Sequence, residues 1–343
     1  MPVIVNSENA HPFLPSLGTL TAIEKSLAET QEIRPLEIAI INLMAEKQTT
    51  ERQLAHWFGH TPLQVRLTFA ATDSYIHDVR NGRETANTSS DHIKKFYSAW
   101  SEIKGNKYDG LVVTGVNALK DRVEQEDFWP EVAKILDWST TNVLSSLFLC
   151  WGAKAALKHF HDIDSVKQDQ KIWGVYKHRV VSDKTDLLSG FPDVFDLPVS
   201  RWKTPLLGDI ERHPQLEVAA ASDEVGPNIL VETAPTEGAV SLFPRRVHVL
   251  AHPEYDTDTL RREYVRDQRI NPSGKVPANY FPDNDPTRTP LNTWRHCAHV
   301  YTNWIHALYD ATPYDLAQIP APHRVNQNSR KGTTGSSLDV HAL

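Results

Sequence analysis

The stretch that decides the fold is Val143-Leu144-Ser145-Ser146-Leu147-Phe148-Leu149-Cys150-Trp151-Gly152-Ala153-Lys154-Ala155-Ala156-Leu157. Residues 143–149 form an apolar, β-type run, and a helix-forming segment begins directly after Cys150. The sequence therefore predicts a thiol at the end of a strand and beside the N-terminus of a helix. The partial positive charge of such a terminus favours the thiolate, which is the nucleophilic form of cysteine. A small buried core residue is the alternative interpretation of Cys150.

Strand and helix patterns alternate through the first half of the chain, with mostly short links between them. The predicted elements are strands at 36–44, 63–69 and 109–115 and helices at 50–60, 89–100 and 128–138. Segments 36–44 and 109–115 are largely apolar, which is typical of strands buried on both faces of a parallel sheet. The pattern predicts an α/β fold with a doubly wound, mostly parallel sheet. Active residues are then expected at the carboxyl ends of the strands, where Thr114, Gly115 and Cys150 fall.

The C-terminal half, from about residue 172, is richer in strands. The predicted elements are strands at 172–181 and 246–251, shorter segments between 216 and 242, and helices at 258–269 and 290–309. For the domain organisation we predict an irregular polar arm at 1–34, one main domain at 35–320 and a disordered tail at 321–343. The arm is expected to pack on the main domain or on a partner subunit, which leaves a homodimer open.

Composition and charge argue against several classes of protein. The 343 residues carry a formal net charge of −7, with a pI of about 6.1, so nothing favours binding to nucleic acid or to an anionic membrane. No apolar run reaches the roughly 20 residues of a membrane span, and residues 1–6 lack the features of a signal peptide. The two cysteines, Cys150 and Cys297, are too few for a disulfide framework, so we predict a cytoplasmic protein.

The segment Ala251-His252-Pro253-Glu254 supplies the groups that a nucleophilic thiol needs. His252 and Glu254 are two residues apart, so in extended chain both side chains would face the same site. With Cys150 they suggest covalent catalysis by a cysteine, a histidine and a carboxylate. Backbone N–H groups at the strand-to-helix turn, one of them from Trp151, are the predicted oxyanion donors. Zinc is the weaker interpretation, because no third ligand stands at the usual spacing, and we expect no metal.

Several segments, in order along the chain, carry a resemblance to a known family. They are EIRPLEIAIINLM (32–44), TERQL (50–54), PLQV (62–65), DGLVVTG (109–115), FLCW (148–151), GVY (174–176), HPEYDTDTL (252–260), NYFPDND (279–285) and TNWIHALYDATPYDL (302–316). Together they resemble the MetA-type homoserine O-acyltransferases, which have a class I glutamine-amidotransferase-like, flavodoxin-like fold. The resemblance covers roughly residues 32–316 and implies that 35–320 is an acyltransferase domain.

The resemblance also implies roles for individual residues. Cys150 matches the nucleophile that carries the acyl group as a thioester, His252 the proton acceptor and Glu254 the carboxylate that orients it. A further set matches substrate-binding positions of the family, although spacing alone would place its members on a solvated surface. These residues are Lys171, Ser200 and Arg266, of which Arg266 matches the arginine that holds the carboxylate of the amino acid.

Leu119 stands at the position that influences the acyl donor in the resembled family. In that family, members with glycine at this position use succinyl-CoA, and members with glutamate use acetyl-CoA. Leucine leaves less room than glycine, which favours the smaller acetyl group. Val199 stands at a position where the resembled family can have histidine. Together with the change at Leu119, this leaves open that the acceptor is serine instead of homoserine.

The function that follows from the resemblance is acyl-CoA-dependent O-acylation of L-homoserine, with acetyl-CoA favoured over succinyl-CoA. The expected mechanism is ping-pong, through a thioester on Cys150, and the expected pathway is methionine biosynthesis. The partners are then small molecules only, namely acyl-CoA and homoserine or serine, and no bound cofactor is expected. Three alternatives remain: a serine O-acyltransferase, a glutamine amidotransferase-like hydrolase and a non-catalytic binding module.

Overall fold

The computed structural model describes residues 3–5, 22–24, 34–182, 185–233, 243–270, 272 and 274–319. The elements of the first half are β1 (Val3–Val5), β2 (Ala22–Glu24), β3 (Leu36–Ile41), α1 (Lys47–Phe58), β4 (Val65–Ala71), α2 (Asp73–Arg80), α3 (Ser90–Phe96), β5 (Ser98–Ala99), α4 (Trp100–Ile103), β6 (Tyr108–Val113), α5 (Trp129–Asn142), β7 (Val143–Leu149) and α6 (Trp151–His161). Those of the second half are β8 (Ser165–Val180), β9 (Val194–Pro205), α7 (Leu207–Glu211), β10 (Leu216–Ser222), β11 (Gly226–Thr233), β12 (Pro244–Val249), α8 (Thr259–Ile270) and α9 (His299–Ala311). Short 3-10 turns occur at Val123–Gln125, Asp186–Leu188, Pro282–Asn284, Arg295–Ala298 and Leu316–Gln318.

One sheet runs through the molecule in the order β2-β1-β4-β3-β6-β7-β12-β11-β10-β8-β9, with β5 paired to β4. Every pair from β2 to β12 is parallel, and the pairs from β12 to β9 are antiparallel. The sequence-based prediction of a mostly parallel α/β sheet with a strand-rich C-terminal half is therefore confirmed. The segments that carry Cys150 and His252 are brought side by side, because β12 pairs directly with β7.

Helices cover both faces of the sheet, which explains why its central strands are apolar along their whole length. All seven residues of β7 are buried. Leu147 and Leu149 belong to the apolar cluster on one face, and Phe148 belongs to the cluster on the other. The first face is covered by α1 and α9, which meet through Phe58 and Trp304 at 5.8 Å between ring centres. On the other face α5 and α6 pack over β6 and β7, as a doubly wound sheet requires.

The predicted helices have different bounds in the structure, and the helix placed at 128–138 extends to Asn142. The helix placed at 50–60 begins at Lys47, so Thr50 lies inside it instead of capping it. The helix placed at 89–100 is capped by Ser89 but ends at Phe96. Tyr97 leaves it in an extended conformation because its buried hydroxyl bonds to Glu51 and Asn42. The helix placed at 290–309 is regular only over His299–Ala311.

The structure describes only part of the predicted arm. Its segments Val3–Val5 and Ala22–Glu24 form parallel strands at the edge of the sheet, so the prediction of irregular structure is wrong for these six residues. The predicted tail at 321–343 lies outside the described residues. Among the described helices, none has the length and apolar character that a membrane crossing requires.

Candidate active site

Cys150 occupies a sharp turn between β7 and α6, as the sequence predicts. Its backbone has φ 50° and ψ −106°, a conformation that costs a non-glycine residue free energy and is held only by its surroundings. The Cys150 N–H donates a 2.7 Å hydrogen bond to the carbonyl of Val249, at the end of β12. The strained turn is therefore tied to the neighbouring strand, and the thiol lies at the N-terminus of a helix.

Two glycines leave space for this turn. A Cβ atom on Gly152 would lie 2.5 Å from the Val113 carbonyl oxygen, so only glycine lets α6 approach the end of β6 this closely. A Cβ atom on Gly115 would lie 3.2 Å from the Cys150 Cβ and 3.7 Å from its Sγ. Gly115 therefore forms the wall opposite the thiol, and a side chain there would crowd the nucleophile.

His252 and Glu254 interact directly, although the chain between them is a turn and not an extended segment. The Nδ1 atom of His252 lies 2.7 Å from Oε1 of Glu254, and the Tyr301 hydroxyl donates to Oε2 of Glu254 at 2.6 Å. All three side chains are buried. The two side chains therefore contact each other as the sequence suggests, but not through an extended chain, because Tyr255 N–H bonds back to the His252 carbonyl and closes a turn.

The charges around the thiol favour a thiolate beside an imidazolium. Burial by itself raises the pKa of the Cys150 thiol, but the positive charges of His252 and Lys154 outweigh it and bring the pKa to about 7. Burial likewise disfavours charge on His252, but the thiolate and the Glu254 carboxylate raise the pKa of His252 well above its usual range. The resting site can therefore hold the ion pair that a cysteine nucleophile needs.

The N–H of Trp151 lies in the first turn of α6, where backbone donors have no acceptor within the helix. The Trp151 ring is buried and packs edge-on against Phe128, with 5.1 Å between ring centres. This packing fixes the start of the helix beside Cys150. Trp151 as an oxyanion donor stays a prediction that agrees with this placement.

A single cleft of about 1560 Å³ brings the predicted site residues together. It is lined by the predicted catalytic pair Cys150 and His252 and by the four residues predicted to bind substrate or donor, Leu119, Lys171, Ser200 and Arg266. Glu254 contacts His252 from behind and does not line this cleft. The cleft is large enough for a substrate of coenzyme size together with an amino acid.

Glu263 on α8 connects the predicted substrate-binding residues, and sequence reasoning missed it. Its Oε2 accepts from the Ser200 hydroxyl at 2.6 Å and from the Lys171 ammonium at 3.2 Å. Its Oε1 accepts from the Tyr255 hydroxyl at 2.8 Å. Burial by itself raises the pKa of Glu263, but Lys171, Ser200 and Tyr255 outweigh it and lower the pKa, so the carboxylate stays ionised.

Lys171 and Arg266 form the more open side of this group. Lys171 also pairs with Asp267 at 2.9 Å and lies over the Trp173 ring at 4.2 Å. Arg266 pairs with its neighbour Asp267 at 2.8 Å, and its side chain is about half exposed. Both cations line the cleft, and their role in binding substrate stays a prediction.

Lys154 is a second residue that sequence reasoning missed. It lies one helical turn after Cys150, is buried, and lines the same cleft. In the described part of the chain its ammonium makes no ion pair or hydrogen bond, although it acts on the Cys150 thiolate through charge. Its position at i+4 from the nucleophile was visible in the sequence, but its burial was not. A buried ammonium without a fixed partner leaves room for an anionic group of a substrate.

Leu119 and Cys297 have different environments. The Leu119 side chain is 88% exposed at the mouth of the cleft, so it does not fill a packed pocket, and its packing gives no support to an acetyl donor on grounds of volume. Cys297 is buried, its thiol donates to the Asp196 carbonyl at 3.2 Å, and burial raises its pKa. Cys297 is therefore a core residue.

Comparison with known proteins identifies the family of this chain. A family model described as homoserine O-succinyltransferase matches residues 2–314. The chain belongs to this family. Among similar proteins, the homoserine O-acetyltransferase of Chelativorans sp. is 42% identical over 302 residues, covering 88% of this chain and 91% of that protein. That of Thermotoga neapolitana is 42% identical over 291 residues, covering 84% and 90%. The acyl group differs between the family description and these names, and homoserine O-acyl transfer is what they share.

Among solved structures, the chain is similar to a glutamine amidotransferase from Thermotoga maritima. The two are 13% identical, with 81% of this chain and 98% of that chain covered and a TM-score of 0.48. A glutamine amidotransferase from Methylobacillus flagellatus is also similar at 13% identity, with 80% and 96% covered and a TM-score of 0.45. Likeness at this level has no bearing on activity.

Proposed function

We propose that this protein is an acyl-CoA-dependent homoserine O-acyltransferase that carries the acyl group on Cys150. The observation that supports this most directly is the strained Cys150 turn beside the hydrogen-bonded pair His252 and Glu254, at the floor of a large cleft. The family membership supplies the acceptor class. We place the activity in the cytoplasm and in methionine biosynthesis.

The first half-reaction transfers the acyl group from CoA to the enzyme. The Cys150 thiolate attacks the thioester carbonyl, and N–H groups at the start of α6, including that of Trp151, hold the oxyanion of the tetrahedral intermediate. The C–S bond to CoA breaks, and the protonated His252 gives its proton to the departing CoA thiolate. The products are free CoA and a thioester on Cys150, with His252 left neutral.

The second half-reaction transfers the acyl group to a hydroxyl. Neutral His252, held by Glu254, accepts the proton of the acceptor hydroxyl as its oxygen attacks the thioester carbonyl. The C–S bond to Cys150 breaks, which releases an O-acyl amino acid and restores the thiolate beside the protonated histidine. Each proton removed in one half is therefore returned in the other.

The group around Glu263 has the charges that recognise an amino acid. The Glu263 carboxylate suits the ammonium of the substrate, and the forked guanidinium of Arg266 suits its carboxylate. Lys171 and Ser200 already contact Glu263 and can exchange those contacts for the substrate. Homoserine is the first candidate because of the family. Serine is shorter by one methylene and places its hydroxyl nearer this group.

For the donor, acetyl-CoA is the first candidate because the similar proteins named above are homoserine O-acetyltransferases. A second candidate, succinyl-CoA, is favoured by a specific observation. The Lys154 ammonium is buried one turn from Cys150 and has no fixed partner among the described residues. A carboxylate at the far end of a succinyl group would give this cation the counter-charge that a buried charge requires.

Intact-mass spectrometry after mixing the protein with acetyl-CoA or succinyl-CoA tests the mechanism. We expect a mass gain of one acyl group, which disappears in Cys150→Ala and remains in the matched variant Cys297→Ala. The adduct should be discharged by homoserine faster than by serine or water. An adduct on neither cysteine, from either donor and in folded protein, would contradict the thioester mechanism, and discharge at equal rates by water and homoserine would favour a hydrolase.

A further inference from the structure

A cluster of potential metal ligands lies away from the active-site cleft, at the other end of α6. His161 is the last residue of α6, Glu232 lies on β11, and His248 lies on β12. Their side-chain ligand atoms all lie within 4.8 Å of one another. The Nε2 atom of His161 is 3.0 Å from Oε2 of Glu232, and the His161 and His248 ring centres are 6.4 Å apart.

His248 is the observation that points to a ligand. The residue is completely buried, and neither of its ring nitrogens has a hydrogen-bond partner of normal geometry in the described part of the chain. A buried polar group without such a partner costs about 1–3 kcal/mol, so it calls for an explanation. A neutral imidazole has a lone pair on one ring nitrogen, which it can offer to a metal ion.

We propose that His161, Glu232 and His248 bind a divalent transition-metal ion of the zinc type. Two imidazole nitrogens and one carboxylate oxygen form a ligand set that zinc commonly takes, whereas magnesium and calcium prefer oxygen ligands. Water or His213 would occupy the fourth coordination position of the metal. The ring centre of His213 is 5.4 Å from that of His161. Side-chain adjustments of about an ångström bring the three atoms to the separations of tetrahedral coordination.

Neighbouring residues orient two of the three ligands. The side-chain amide of Gln215 lies 3.2 Å from Nδ1 of His161, and with its oxygen turned to the ring it accepts the Nδ1 proton and leaves Nε2 for the metal. Arg246 pairs with Oε1 of Glu232 and lies over the Phe160 ring, 3.9 Å from its centre. The Arg246 charge opposes a cation, but its contact is with Oε1, and Oε2 remains for the metal.

The metal would join the two elements that carry the catalytic pair. Helix α6 begins directly after Cys150 and ends at His161, and β12, which carries His248, leads to His252. An ion held by both elements would fix α6 against β11 and β12 at the end remote from the thiol. The ion has no part in the acyl transfer, so its binding and the proposed function can fail independently.

The test is a titration of chelator-treated protein with Zn²⁺, in a Cys150→Ala background that removes the reactive thiol as a competing ligand. Competition with a chromophoric chelator gives affinity and stoichiometry, and thermal unfolding gives the shift in Tm. We expect one equivalent of Zn²⁺, a Tm that rises with Zn²⁺ concentration and no comparable effect of Mg²⁺. X-ray absorption of the loaded protein should show nitrogen and oxygen ligands at about 2.0–2.1 Å and no sulfur.

Two neighbouring histidines of α6 provide matched variants. His161→Gln should weaken Zn²⁺ binding at least about tenfold. His159→Gln should leave it unchanged, because His159 pairs with Asp137, outside the cluster. Equal affinity in His161→Gln, no binding by the parent protein, or sulfur in the metal's coordination shell would overturn the proposal. The last measurement needs no ligand variant and so decides the question even if His161→Gln does not fold.

Discussion

His252 and Glu254 form a 2.7 Å hydrogen bond across Pro253, and Tyr301 holds the other oxygen of the same carboxylate. The carboxylate therefore fixes the ring of His252 with Nδ1 toward Glu254 and leaves Nε2 for the thiol and the substrate. Orientation and charge come from the same contact, because the Glu254 charge also raises the pKa of His252.

Removal of the Glu254 charge should cost far more activity than removal of the Tyr301 hydroxyl. Glu254→Gln keeps the shape but lowers the pKa of His252, so we expect kcat/KM to fall by about 10³-fold or more. Tyr301→Phe removes one bond to a charged group, worth about 1.5–3 kcal/mol, and should cost roughly tenfold to a hundredfold. Steady-state kinetics check both values.

Tyr309→Phe is the control for the tyrosine variant, because Tyr309 lies on the same helix, α9, with its side chain half exposed. It should have wild-type kinetics. Equal losses in Glu254→Gln and Tyr301→Phe would mean that the carboxylate serves only to position the ring and that its charge is unimportant.

The ionisation of Cys150 should be visible in its rate of alkylation. The pKa of this thiol is lowered to about 7, so the thiolate is present above about pH 7 and is lost as the pH falls below it. The rate of reaction with iodoacetamide, followed by mass spectrometry, should rise with a midpoint near pH 7. In His252→Ala the midpoint should move to higher pH, because the imidazolium charge that lowers the pKa of the Cys150 thiol is gone while burial still raises it. Cys297 serves as an internal control and should stay unmodified.

An unchanged midpoint in His252→Ala would assign the lowered pKa to Lys154 and to the helix N-terminus instead of to the ion pair. An upward shift in Lys154→Gln alone would point to the same conclusion. The two variants together therefore separate the contributions of the two cations to the reactivity of the thiol.

The placement of Cys150 and His252 could be predicted from the sequence, because it depends on local pattern and on the order of the strands. An apolar strand that ends at Cys150 before a helix specifies the turn, and parallel pairing of β7 with β12 brings the segment of His252 beside it. The sequence analysis assumed an extended chain at His252 and Glu254. The chain forms a turn there instead, and the turn also brings the two side chains into contact.

The remaining site could not be read from the sequence, because it depends on distant segments meeting. Glu263 lies on a helix in which half of the residues are charged, and nothing in the nearby sequence distinguishes it from a solvated acid. Only the fold places Ser200 and Lys171, from two antiparallel strands, against its carboxylate. Lys154 is similar: a lysine in a helix is ordinarily exposed, and its burial follows from how α6 packs against the sheet.

Lys154 should select the acyl donor if its ammonium meets a substrate carboxylate. In Lys154→Gln the ratio of kcat/KM for succinyl-CoA to that for acetyl-CoA should fall by about tenfold or more, the range expected when one charge-assisted contact is lost. Lys158→Gln, one turn further along α6, is the control, because Lys158 already pairs with Asp162 and Asp164. Equal losses of kcat/KM with both donors would mean that Lys154 acts only on the Cys150 thiolate and does not select the acyl donor.

Glu263 should affect the second half-reaction and spare the first. Glu263→Gln removes the charge proposed to hold the substrate ammonium, so the KM for homoserine should rise by about 10- to 100-fold. Formation of the acyl-enzyme from acyl-CoA, measured by intact mass on rapid quenching, should keep its wild-type rate, because Cys150 and His252 do not depend on this carboxylate for their contact. Asp267→Asn is the matched control: Asp267 also pairs with Lys171 but is more exposed, and its loss should raise KM only slightly. If acylation slowed as much as transfer in Glu263→Gln, the carboxylate would be holding the site together through Ser200, Lys171 and Tyr255 and would have no separate role in recognising the acceptor.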